Sequence, residues 1–277
     1  MPELPEVHTI ASDLNKHISG YSIKKVVVSK SYNVKPNAND FVKNVSGKKV
    51  IGARRVAKNI IIDLETGDSI VMHLAMTGQV LLRDPQLKSD KWIKAVFVLD
   101  NEDVATKSKN LIFTDMRAFG KLTYAQDKDL EELYKKYGPE PLDEGLTAQE
   151  FLQILQKKKT AVKKALLEQS LISGVGNIYA NDALFLSKIH PETLTVKLNE
   201  QNAERLLEAL RTILQEGIDH RGSTLPDRMY IDIFGNAGTQ QDHFRIFMKK
   251  SCPVCGTKVE VKSIGGRGTY FCPNCQI

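Results

Sequence analysis

Gly138-Pro139-Glu140-Pro141 divides a chain of 277 residues into two stretches of different character, and the fold class follows from what lies on each side. Glycine and proline punctuate regular structure, so the stretch reads as a linker. Before it, from residue 22 to 125, short β-rich runs recur: Val26 to Val28, Lys49 to Ile51, Ile60 to Leu64, Ile70 to Leu74, Val80 to Leu82, Ala95 to Leu99 and Leu111 to Phe113. Glu65-Thr66-Gly67-Asp68 has the composition of a hairpin turn between two of them. Many short strands separated by turn signals predict a β-sandwich or barrel. After the linker, Thr147 and Glu150 stand at the spacing of a capping box that opens a helix. Further helices are predicted over 161–169, 177–187 and 199–219, the last with Leu206, Leu207, Leu210, Ile213 and Leu214 on one stripe. Between the first two of these lies Ser173-Gly174-Val175-Gly176-Asn177, whose glycines allow a tight turn with exposed backbone. The class is therefore α+β.

The two ends carry the chemistry. Val7, Ile10, Ala11, Leu14 and Ile18 follow helical spacing, which predicts an amphipathic helix over 6–18. Ahead of it stands Met1-Pro2-Glu3. Removal of Met1, expected when the next residue is small, would leave a secondary amine one residue from a carboxylate. As a nucleophile such an amine can condense with the masked aldehyde carbon of a sugar to give an iminium. The plain alternative is a chain that happens to begin Met-Pro. At the other end, all four cysteines fall in the last 26 residues as Cys252-Pro253-Val254-Cys255 and Cys272-Pro273-Asn274-Cys275, with sixteen residues between the pairs. Two such pairs suit a closed tetrahedral zinc site, and two disulfides are the alternative in an oxidising compartment. A closed four-sulfur site has no open position for water, so one zinc there would stabilise the fold rather than catalyse. A unit of this size usually needs such a staple.

The net charge of +6 fits a polyanionic partner such as nucleic acid. No apolar run approaches the ~20 residues of a membrane span. The start of the chain lacks the basic-then-apolar layout of a signal peptide. The expectation is a cytoplasmic protein with no membrane partner.

Taken together, five motifs resemble those of the bacterial formamidopyrimidine-DNA glycosylases. They are Pro2-Glu-Leu-Pro-Glu-Val7, His73-Leu-Ala-Met-Thr-Gly78, Asp115-Met-Arg-Ala-Phe-Gly120, Gly174-Val-Gly-Asn-Ile-Tyr-Ala180, and Gly266-Arg-Gly-Thr-Tyr-Phe-Cys272 beside the cysteine pairs. The likeness runs over essentially the whole chain. It implies an N-terminal β-sandwich with its leading helix over 1–130, a linker over 131–148, a helix-two-turn-helix domain over 149–243 and a zinc finger over 244–277. It also implies a monomer bound to duplex DNA that carries oxidised bases or abasic sites, associated with the nucleoid through that DNA.

The activity implied is excision of oxidised purines such as 8-oxoguanine, followed by strand cleavage. Pro2 would attack C1′, Glu3 would protonate the sugar ring oxygen, and Lys58 would belong to the catalytic group while also meeting a phosphate. The damaged nucleotide must be flipped out. Met76, Arg117 and Phe119 would fill the hole it leaves. His73, Asn177 and Arg267 would hold the sugar-phosphate chain, Lys163 would reach the sugar-phosphate or the damaged base from its helix, and Glu6 and Asp182 would order the centre. Each has an ordinary alternative: core residues for Met76 and Phe119, a solvated residue for Arg117, a strand-edge lysine for Lys58, an interior histidine for His73, a helix cap for Asn177, a solvated helix face for Lys157 to Lys164, and a salt bridge for Asp182.

The chain departs from the family's pattern at several points. His8 replaces a usual Glu, Ala75 a usual Gly, and Ala118 a second Arg, while residues 221–241 keep Gly222-Ser223-Thr224 and then diverge. These bear on which lesion is accepted. Two other readings stay open: the same chemistry on oxidised pyrimidines, against which Leu4 speaks, and a DNA-binding protein without catalysis.

Overall fold

The computed structural model describes residues 2–29, 32–85, 90–101 and 108–277. They form two compact units, one running to Tyr134 and including Arg221–Thr239, the other comprising Lys135–His220 and Gln240–Ile277.

In the first unit, helix α1 (Leu4–Ile18) begins two residues before the periodicity predicts. Pro5 causes the difference. In the first turn a proline surrenders no intrahelical hydrogen bond, and its fixed φ already suits a helix. Leu4, Val7, Ile10, Leu14 and Ile18 are buried along one stripe. The expected strands appear as β1 (Ser22–Val28), then after β2 (Val34–Lys35), β3 (Val50–Val56), β4 (Asn59–Leu64), β5 (Ser69–His73), β6 (Gly78–Arg83), β7 (Ile93–Asp100), β8 (Ser108–Asp115) and β9 (Lys121–Ala125). They make a four-stranded sheet in the order β1-β7-β8-β6 and a five-stranded one in the order β2-β9-β5-β4-β3. All neighbours are antiparallel except β2 and β9. One core joins α1 to both sheets, with Phe41, Phe97 and Phe113 fully buried in it. Each such ring removes apolar surface worth about 1.5–3 kcal/mol.

Strand β4 reads Ile60-Ile61-Ile62 because both of its faces are covered. Ile60 and Ile62 enter the main core, while Ile61 packs with Val71, Ala125 and Leu130. Leu130 comes from α3 (Asp127–Tyr134), an element the periodicity does not show because it buries that one residue. Helix α2 (Ala38–Val45) is equally faint, with only Phe41 and Val45 buried.

The second unit holds α4 (Ala148–Gln156), α5 (Val162–Leu167), α6 (Asn177–Leu186) and α7 (Glu200–Asp219). The Thr147 hydroxyl accepts the Glu150 N–H, and the Glu150 carboxylate accepts the Thr147 N–H, closing the expected capping box. The α7 stripe is buried against α4 and α6. Helix α6 is buried nearly all round, as a central helix should be. The antiparallel hairpin β10 (Glu260–Ile264) and β11 (Arg267–Phe271) ends the chain. Gly138 donates to the Gln169 carbonyl, and a Cβ there would lie 2.0 Å from the Leu171 carbonyl oxygen. The linker's glycine is thus a packing requirement. Among the described residues no helix is long and apolar enough to cross a membrane.

Candidate active site

Pro2 and Glu3 are both buried at the start of α1. Glu3 is the N-cap, in extended backbone, so its carboxylate stands at the positive end of the helix. Glu6 fixes this start. Its Oε2 accepts the Glu3 N–H at 2.8 Å and its Oε1 accepts the Ser223 N–H at 2.7 Å. One carboxylate thereby joins the chain's first turn to the segment 221–239. That junction is tight: Gly222 has φ of +79°, and a Cβ on it would lie 2.8 Å from the Glu6 Cγ. The Tyr230 hydroxyl donates to the Arg221 carbonyl at 2.7 Å, and Arg221 pairs with Asp13 at 2.5 Å and Asp232 at 2.9 Å. Burial and the nearby Glu6 raise the Tyr230 phenol well above its usual range, so it stays a donor. Met1 lies outside the described residues.

A second cluster is set by strand register. Asn59, His73 and Lys121 are neighbours across β4, β5 and β9, and Lys58 sits nearly buried on the turn before β4. Asn59 donates its amide to the Val56 carbonyl, which turns its Oδ1 toward the His73 Nδ1 at 3.1 Å. His73 Nδ1 is therefore the donor. Burial, then Lys121 and Lys58, hold the His73 pKa below its ordinary value. The result is a neutral imidazole between two cations, an environment that an anion would relieve.

Met76, Arg117 and Phe119 meet at the turns that follow β5 and β8. The Arg117 Nη1 reaches the Met76 Sδ at 3.5 Å, and its guanidinium lies 4.9 Å from the Phe119 ring centroid. Met76 and Phe119 are 37% and 56% exposed, so neither is a core residue. Asp115, wholly buried, organises both turns. It accepts the Thr77 hydroxyl at 2.5 Å and the Gly120 N–H at 2.7 Å, while Thr77 accepts the Arg117 N–H at 3.0 Å. Ala75 and Ala118 flank these residues at φ of +49° and +54°. Ala75 thus occupies a left-handed position, where glycine is the easy choice.

In the second unit, Asn177 opens α6. Its amide donates to the Gly268 carbonyl at 3.1 Å, its buried Oδ1 has no partner, and its carbonyl accepts from Lys163 at 3.0 Å. Lys163 is completely buried rather than part of a solvated face. Asn177 is thereby brought beside exposed Arg267, the neighbour of Gly268 in the hairpin. Gln169 shapes the preceding turn by accepting the Gly174 N–H and donating to the Val175 carbonyl. Asp182 accepts the N–H groups of Arg245, Ile246 and Phe247, each at 2.9 Å. Its carboxylate thereby holds the backbone that leads toward the hairpin.

The four cysteine sulfurs lie within 4.8 Å of one another, with Cys252–Cys275 at 3.8 Å and Cys255–Cys272 at 3.5 Å. A tetrahedral zinc with ~2.3 Å bonds requires sulfur separations of about 3.8 Å, so the set fits. Hydrogen bonds from Thr257 lower the Cys255 thiol to about 5, while Cys255 pushes Cys275 up to about 12. Four sulfurs held this close can all ionise together only around a cation.

Three family models match in order: the formamidopyrimidine-DNA glycosylase N-terminal domain over residues 1–122, its H2TH domain over 137–228, and the zinc finger found in FPG and IleRS over 249–277. The formamidopyrimidine-DNA glycosylase of Chloroflexus aurantiacus is 36% identical over 280 residues, covering 100% of this chain and 98% of its own. The chain belongs to the formamidopyrimidine-DNA glycosylase family. The Fpg of Lactococcus lactis in complex with abasic-site DNA matches with a TM-score of 0.89 at 31% identity, over 99% of both chains. The MutM (Fpg) protein of Thermus thermophilus matches with a TM-score of 0.86 at 34% identity, over 99% of this chain and 98% of its own. As in the family, the zinc finger closes the chain, and the cysteines place one structural zinc in it. Asp115, Thr77, Lys121 and Gln169 escaped the sequence reading. Asp115 and Thr77 do lie inside motifs that carry the resemblance, but their work is internal hydrogen bonding, which spacing does not reveal.

Proposed function

We propose that this chain is a bifunctional DNA glycosylase and AP lyase of base excision repair, removing 8-oxoguanine and formamidopyrimidines from duplex DNA. The carrying observation is the buried Pro2-Glu3 pair at the head of α1, with Glu6 bonded to the Glu3 backbone. Family membership and the DNA complexes of its solved relatives support the substrate class. One such complex, of Lactococcus lactis Fpg, holds Fapy-dG DNA.

With Met1 removed, an amine of pKa ~8 is partly neutral near pH 7 and attacks C1′ of the flipped nucleotide. The new C1′–N bond replaces the glycosidic bond, and the base leaves with a proton. Glu3 protonates the ring oxygen, which opens the sugar to an iminium. The iminium acidifies the C2′ proton. Its loss expels the 3′ phosphate, and a second elimination expels the 5′ phosphate. Met76, Arg117 and Phe119 occupy the vacated stack. Lys58 and His73 in the first unit, and Asn177 and Arg267 in the second, take phosphates. Lys163 acts through Asn177, a narrower role than direct reach to the DNA. Zinc, when bound by the four cysteines, supplies structure alone.

In functional terms the chemistry falls to 1–130, with 131–148 as connection and DNA binding in 149–243 and 244–277. Residues 221–239 lend a piece of the third stretch to the centre. The chain works as a monomer in the cytoplasm, associated with the nucleoid through DNA.

Borohydride trapping tests this. Mature protein should form a covalent adduct at Pro2 on duplexes bearing 8-oxoguanine or an abasic site, and Pro2→Gly should not form it there. Absence of trapping on both duplexes, or Met1 retained in the intact mass, overturns the mechanism. Faster cleavage of thymine glycol than of 8-oxoguanine overturns the purine assignment.

A further inference from the structure

Trp92 is the chain's one tryptophan, and it is 58% exposed at φ of +62°. A bulky residue seldom adopts that backbone conformation, and an indole in water leaves a large apolar surface uncovered. Its position gives the feature meaning. The Trp92 carbonyl accepts the N–H of Asp115 at 3.0 Å. Ile93 stands opposite Thr114, and Asp115 stands opposite Gly78. Trp92, Asp115 and Gly78 therefore form a row at one end of the four-stranded sheet. From that row rise the turns that carry Met76, Met116, Arg117 and Phe119.

Along the same three strands Val80, Ala95, Phe97, Leu111 and Phe113 are buried. Exposed Met76, Trp92, Met116 and Phe119 thus gather where the sheet ends, and a gathered apolar surface of this kind marks a contact site. Its charge selects the partner. Trp92 is flanked by Lys91 and, two residues on, Lys94, while the carboxylate of Asp90 is taken by Arg83 at 3.3 Å. Cations interleaved with an open aromatic face suit a nucleic acid strand, whose bases stack while its phosphates pair.

We propose that Trp92 is a further DNA-contacting residue, which lays its indole on a base or sugar beside the step entered by Met76, Arg117 and Phe119, with Lys91 and Lys94 meeting the adjoining phosphates. This rests on the function proposed above. It extends the contact surface by one aromatic residue outside the motifs that carry the family resemblance.

A single tryptophan makes the test direct. Full-length protein is titrated with a fluorescently labelled duplex containing a tetrahydrofuran abasic analogue, and label anisotropy and tryptophan emission are followed together. Emission should change in step with anisotropy. Trp92→Ala should weaken binding about tenfold, the scale of one lost base-aromatic stack. Trp92→Phe should restore most of it, and thermal melting of both variants should match the parent. Rising anisotropy with unchanged emission, together with parental affinity in Trp92→Ala, overturns the proposal and leaves the parent reading standing. Failure of the duplex to raise anisotropy at all overturns the parent reading, and this inference with it.

Discussion

The carboxylate of Asp115 and the hydroxyl of Thr77 meet at 2.5 Å beneath the two turns that present Met76 and Arg117. Thr77 passes the constraint on by accepting the Arg117 N–H, while the other Asp115 oxygen takes the Gly120 N–H. One buried side chain therefore sets the spacing of three exposed ones. Asp115→Asn keeps the size but places an amide against a donor. It should cost about 1–3 kcal/mol and lower the melting temperature by several degrees. Affinity for an abasic duplex should fall while the salt dependence of binding is unchanged, because no phosphate contact is lost. Equal losses on abasic and undamaged duplexes would show that Asp115 acts on the fold alone.

His73 supplies a pH dependence. Its folded pKa lies below 6.5, from burial and then Lys121 and Lys58, so the free protein carries it neutral at pH 7. A phosphate at this site favours the charged form and raises that pKa. Binding must then take up a proton, and affinity should rise as pH falls from 8 toward 6. His73→Gln should flatten the curve by about one proton's worth of slope. Identical slopes for the two proteins would remove His73 from the phosphate contacts.

How much of this was legible depended on what each residue does. Residues that repeat along an element were readable: the α1 and α7 stripes, the Thr147-Glu150 box and the cysteine pairs each carry their reason in their spacing. Helices α2 and α3 were not, since an eight-residue helix that buries one or two side chains leaves no periodic trace. The cluster of Lys58, His73 and Lys121 exists because β5 lies between β4 and β9 in one register. That pairing order is a property of the sheet, so Lys121 went unseen. Arg221 and Asp13 lie far apart in the chain, and nothing in either stretch announces the other.

Ala75 was a visible oddity whose cause is conformational. A non-glycine residue in the left-handed region is strained by about 1–2 kcal/mol, and glycine returns part of that through its freer unfolded chain. Ala75→Gly should therefore stabilise the protein by less than about 1 kcal/mol. A small upward shift in melting temperature is expected, and a clear fall would mean that the Ala75 methyl packs usefully.

Removing metal should act on the end of the chain. Cys252 and Cys272 pack with Phe185, Ile246 and Val259, so the zinc finger's small core includes its own ligands. Native mass spectrometry should find one zinc per chain. A strong chelator should strip it, expose the β10-β11 amides to exchange and weaken DNA binding at least tenfold, since Arg267 and the Gly268 carbonyl that holds Asn177 both sit on β11. Two disulfides and no metal in the mass of native protein would contradict the site.

The clasp on residues 221–239 should open with acid. Burial opposes ionisation of Asp232, but Arg221 and then the N–H groups of Asn236 and Phe234 outweigh it, so its pKa is lowered. A carboxyl with a depressed folded pKa contributes stability above its unfolded value, near 3.9, and loses it as pH falls through the lower folded value. The segment should therefore stay closed from neutral pH down to about 4 and loosen below that. Asp232→Asn should reproduce the loosening at pH 7, raising amide exchange across 221–239 by about tenfold or more. Glu6 would still bond to Ser223, so only that end of the segment should keep its protection. Uniform exchange throughout the first unit in the variant would mean that Asp232 supports the whole fold and that Arg221 is no local clasp.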